Sequence, residues 1–95
     1  MNKVYVDDRV ERKHPELGIT KQDAIEAWYS AIKSRPRIEK DPNEYLAIGI
    51  DGKGRLIELV AIRDDEGDFL IYHAFTPPQE NAKRELGISE RRRWR

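Results

Sequence analysis

The chain contains two histidines, the side chains whose unperturbed titration falls nearest neutral pH, and they sit in unlike settings. His73 falls in "FLIYHAFTPP", residues 69–78, late in an apolar, aromatic run and just before a Thr-Pro-Pro turn, where a strand end presents side chains at the rim of a sheet. His14 follows Arg12 and Lys13 directly, in a small cationic cluster. Metal-free RNA cleavage needs a group to take the 2′-hydroxyl proton, a group to protonate the leaving oxygen, and cations to hold the crowded phosphate. His73 or His14 can supply the proton transfer, and Arg55, Arg63, Lys83 and Arg84 can supply charge. The competing expectation for His73 is a half-buried strand residue bonded to a backbone carbonyl.

Spacing adds two constraints. Neighbouring strand side chains alternate, so Tyr72 and His73 enter one site only if a bulge intervenes. Glu58, inside "RLIELVAI", needs a partner because an unpaired buried carboxylate is costly, and a structural pairing is the expected one. The histidines lie far apart without a local carboxylate pair, so spacing points to no metal site, and no cofactor is expected. The absence of cysteine excludes disulfides, thiolate metal sites and thiol nucleophiles.

The elements that must position these residues can be read from hydrophobic period. A length of 95 residues suits one domain, and with 38% hydrophobic and 38% charged residues its core must be thin. "KVYVDD" reads as a short strand, and "DRVERKHPELG" as one or two helical turns interrupted at Pro15 and stopped at Gly18. Thr20 with Asp23 forms a variant capping box, and Ala24, Ile25, Trp28, Ala31 and Ile32 recur at helical spacing, so a helix is expected up to Ser34–Pro36. "EYLAIGID", "GRLIELVAIRD" and "DFLIYHAF" are three strands joined by "DGKG" and "DDEG", and "TPPQENAKRELG" is a closing helix with Gly87 as its stop. The fold class is α+β, an antiparallel sheet with a three-strand C-terminal meander flanked by helices. Residues 1–87 form the domain, and 88–95 form a basic tail.

Lys plus Arg balance Asp plus Glu at 18 each, so no whole-molecule field draws the chain to nucleic acid or membrane, and any RNA binding must come from a local patch. No apolar run approaches the roughly 18 residues of a membrane helix, and the N-terminus has no signal-like segment, so a cytoplasmic protein without membrane partners is expected.

Lys13-His14 before the first long helix, the Ala24 to Trp28 helix, Tyr45-Leu46-Ala47-Ile48-Gly49, and Gly54-Arg55-Leu56 opening the next strand together resemble the BrnT-type toxins of bacterial type II toxin-antitoxin modules, over residues 9–86. The resemblance implies a RelE-like fold, endoribonuclease activity on free or ribosome-associated RNA, and a cognate antitoxin protein as partner. Lys13 and His14, with Lys83 and Arg84, are then the expected RNA-binding residues, and His73, Arg55 and Arg63 the expected catalytic ones. Where the family's last strand ends Ser-Ala-Arg, this chain has His73-Ala74-Phe75. Either proton transfer falls to His73, or the fold is kept with the reaction lost or changed. The alternative function is a non-catalytic protein-interaction module on a RelE-like fold.

Overall fold

The computed structural model describes residues 3–37 and 40–88. Strand β1 (Val4–Val6) leads through a one-turn helix α1 (Arg9–Arg12) and a 3-10 turn (Pro15–Leu17) to helix α2 (Lys21–Tyr29). Strands β2 (Lys33–Arg37), β3 (Asp41–Ile50), β4 (Leu56–Arg63) and β5 (Phe69–Phe75) follow, and helix α3 (Glu80–Glu85) closes the fold. The five strands form one sheet in the order β1-β5-β4-β3-β2. β2, β3, β4 and β5 pair antiparallel in turn, but β1 runs parallel to β5. The sheet is therefore mixed rather than antiparallel throughout: a crossover carrying α1 and α2 takes the chain from β1 at one edge to β2 at the other, and the antiparallel strands then lead back to β5 beside β1.

α2 starts where expected. The Thr20 hydroxyl accepts the Asp23 N–H at 3.1 Å, and the Asp23 carboxylate accepts the Thr20 N–H at 3.0 Å. It ends five residues before Ser34, which corrects the longer helix read from the periodicity of Ala31 and Ile32. The Ser30 hydroxyl lies 2.6 Å from the Ile50 carbonyl and accepts the Ile50 N–H at 3.2 Å, tying the helix end to β3. The Ile32 N–H then pairs with the Ile48 carbonyl, which starts β2. β2 is an edge strand, where Pro36 lacks only a donor that the sheet does not need.

α2 packs on one face of the sheet. Ala24 and Ala27 meet Ala47, Ile57, Leu59, Ala61 and Ile71, with Val4, Val6, Trp28 and Phe69 closing the margin. The approach is close because the contact residues are small: a Cβ on Gly49 would lie 1.8 Å from the Ala27 carbonyl oxygen. On the other face, α3 places Ala82 and Leu86 over Leu46, Ile48 and Val60. Gly87, at φ +76°, donates to the Arg84 carbonyl, and Ile88 donates to the Lys83 carbonyl, the two bonds of a Schellman stop. Ile88 packs against that second cluster and so belongs to the folded unit, whereas the rest of the expected tail, 89–95, lies outside the described residues.

Gly49→Ala should force α2 off the sheet. Overpacking costs about 1–3 kcal/mol, and a backbone clash puts this substitution at about 3 kcal/mol. Urea denaturation measures it, and a loss below about 1 kcal/mol would contradict the described packing.

Candidate active site

The β4–β5 ladder begins in regular register at the "DDEG" turn, with Arg63 opposite Phe69, Ile62 opposite Leu70 and Ala61 opposite Ile71. One step later Val60 is opposite His73, so Tyr72 is an extra residue in β5. A bulge of this kind brings two consecutive side chains to one face. Ile71 and Ala74 stay on the α2 side, while Tyr72 packs into the cluster beneath α3 and His73 reaches Glu58, on that same face. Without the extra residue, His73 would point into the α2 core.

Glu58 is 4% exposed and is held by three donors. His73 Nε2 lies 2.8 Å from Glu58 Oε2, the Gln79 N–H donates to Oε1 at 2.7 Å, and Gln79 Nε2 donates to Oε2 at 3.1 Å. Burial pushes the Glu58 carboxyl up, but the His73 and Gln79 donors outweigh it and leave it below its ordinary value. An ionised carboxylate only accepts, so the hydrogen of this contact belongs to His73 Nε2. In the neutral ring Nδ1 then carries the lone pair. A carboxylate that fixes a histidine tautomer is the orienting half of a general-base site.

The dyad lines a cleft of about 500 Å³ between the sheet face and α3. Leu46 and Val60 from the sheet and Ala82 from α3 give it an apolar lining, and Arg9, Lys13, Arg37 and Lys40 line it together with Glu85. Arg37 is fixed by Glu85 at 2.8 Å and Glu44 at 3.4 Å. Arg9 pairs with Asp7 and lies 5.3 Å above the Tyr72 ring. The Tyr72 hydroxyl is bonded to Glu44, and burial, reinforced by that bond, pushes the phenol up to about 12, so it stays protonated. Lys13 and Lys40 make no ion pair among the described residues.

The other sequence candidates are dispersed. His14 does not line the cleft, but its ring meets the edge of Phe75 at 5.2 Å, and Phe75 lies parallel to His73 at 6.5 Å. Phe75 thus stands between the two histidines. Arg55 is a structural clamp away from the cleft. It bonds Asp51 at 2.9 Å, Asp23 at 3.2 Å and the Leu17 and Gly18 carbonyls, locking the β3–β4 turn to the start of α2. Arg63 lies at the far end of β4, Lys83 pairs with Glu80 at 3.2 Å, and Arg84 bonds Asn81 at 3.1 Å; none of the three lines the cleft.

Sequence reasoning did not assign Arg9, Arg37, Lys40, Tyr72 or Gln79 to the site. The available signal was Glu58 itself, a carboxylate in an apolar strand whose partner proves to be His73. In the β4–β5 turn, Asp64, Glu66 and Asp68 bring carboxylate oxygens within 4.8 Å of one another. Asp64 accepts the Glu66 and Asp68 N–H groups and Asp68 accepts that of Lys3, the ordinary use of aspartate in a turn. Among the described residues no helix is long and apolar enough to cross a membrane. No known protein family, characterised protein or solved structure matches the chain significantly.

Asp23 and Asp51 are raised by burial and lowered further by their donors, ending below their ordinary value of 3.8 as Glu58 ends below 4.5. Such carboxylates contribute stability that is fully present above the unfolded values and is lost as pH falls through the lower folded ones. Arg55→Ala leaves Asp51 and Asp23 without that partner, which should cost about 3 kcal/mol at neutral pH. It should also flatten the loss of stability below about pH 4. Urea midpoints across the acid range measure both effects, and an unchanged acid slope would contradict the clamp.

Proposed function

We propose that the chain is a metal-independent endoribonuclease of the toxin type, with a BrnT- or RelE-like fold and an antitoxin protein as its inhibitor. The observation that carries this reading is the His73–Glu58 pair at the edge of a cleft lined by Arg9, Lys13, Arg37 and Lys40. In this reading His73 Nδ1 takes the proton of the RNA 2′-hydroxyl as that oxygen attacks the adjacent phosphorus. The O2′–P bond forms, the P–O5′ bond breaks, and the leaving oxygen takes its proton from solvent. The products are a 2′,3′-cyclic phosphate and a 5′-hydroxyl. Glu58 stabilises the imidazolium that forms, and Gln79 holds Glu58 in place. Lys13 and Lys40, with no competing carboxylate among the described residues, are the cations best placed to hold the phosphate charge. The mixed sheet with helices on both faces supports the fold assignment, and the dyad supplies the proton-transfer group that the missing family arginine would leave wanting.

General-base catalysis contributes about 10²- to 10⁴-fold, so His73→Ala should lower cleavage of a labelled RNA at least about 100-fold. Glu58→Gln should lower it less, and Arg63→Ala should leave it near the wild-type rate. Melting curves establish that each variant is folded. Wild-type protein, free of any antitoxin, that leaves free and ribosome-bound RNA intact would rule the reading out.

A further inference from the structure

α3 covers the half of its sheet face nearest β3 and leaves the half nearest β1 open. There the register aligns three side chains across three strands, Tyr5 opposite Leu70 and Leu70 opposite Ile62. They are 50%, 37% and 41% exposed. Val4 and Val6 pack into the α2 core, so Tyr5 between them points to the cleft face. Ile62 lies two residues along β4 from Val60, Leu70 lies two residues along β5 from Tyr72, and Arg9, over the Tyr72 ring, marks the cleft beside the row. An aromatic ring on the edge strand, followed inward by two aliphatic side chains, open to solvent and beside a cationic cleft, has the composition of a single-stranded nucleic-acid platform. Bases stack on the ring while cations track the phosphates.

Building on the ribonuclease reading, we propose that Tyr5, Leu70 and Ile62 form a nucleobase platform that seats a base flanking the scissile phosphate and restricts the enzyme to single-stranded RNA. A paired base has both faces covered by its stacking neighbours and cannot lie on the row. The positive cleft favours this occupant over an apolar protein segment, since the strand would satisfy the row and the cations together. Phosphate contacts supply affinity without regard to base, and the platform adds a term that depends on the base being present and unpaired.

The test is fluorescence anisotropy at fixed salt with labelled 2′-O-methyl RNA, which lacks the attacking hydroxyl and so stays intact. Three probes are compared: a single strand of mixed sequence, the same strand in a duplex, and an abasic strand of equal charge. Wild-type protein should bind the single strand about 10- to 100-fold more tightly than the abasic strand, the range that base–aromatic stacking gives. Tyr5→Ala should remove most of that difference without changing abasic binding, Tyr5→Phe should keep it, and Leu70→Ser should reduce it. Equal binding of the base-bearing and abasic strands by wild type, or a difference that survives Tyr5→Ala, would overturn the platform and leave the ribonuclease reading standing. No binding of any strand would overturn both.

Discussion

The structure turns on a single extra residue in β5. Tyr72 shifts the ladder between Val60 and Ala61, and everything downstream changes face. His73 is moved from the α2 core to the cleft, where it meets Glu58, and joins Tyr72, which alternation from Ile71 already places on that side with Arg9 over its ring. Glu58 without His73 and Gln79 would be a buried charge with nothing to offset its desolvation, so the bulge also makes an acidic residue tolerable in the central strand.

The arginines divide by what surrounds them. Arg55 meets two carboxylates and two carbonyls and is consumed in holding the β3–β4 turn against α2. Arg37 holds the last turn of α3 through Glu85 while Arg35 reaches the Glu85 carbonyl, so the cleft wall is fastened to edge strand β2. The cleft cations without an ion pair among the described residues are lysines, Lys13 and Lys40. Zero net charge is compatible with a local cationic site, because the cleft is lined by four Lys and Arg side chains against two Glu.

What was legible in the sequence follows from local physics. The capping box at Thr20, the stop at Gly87, the interruption at Pro15 and the runs of β3 to β5 are set by residues close together in the chain. β2 was hidden because Ala31 and Ile32 continue a helical period, while the bond that ends α2 reaches 20 residues ahead to Ile50. The parallel partner of β1 is 65 positions away, beyond any local signal. The site was half legible. His73 stood out by type and Glu58 by its improbable setting, but alternation put Tyr72 and His73 on opposite faces, and only the register shift unites them. Arg55 beside a hairpin turn reads the same way whether it grips phosphate or two aspartates of its own chain.

The bulge orients His73 on Glu58 and, with Nε2 donating, leaves Nδ1 to accept a proton. Long-range ¹H–¹⁵N correlation of the His73 ring, recorded with the imidazole neutral, tests it directly. One tautomer is expected, protonated at Nε2, with that preference lost in Glu58→Gln. A ring protonated at Nδ1, or the tautomer mixture of free imidazole in the wild type, would contradict it.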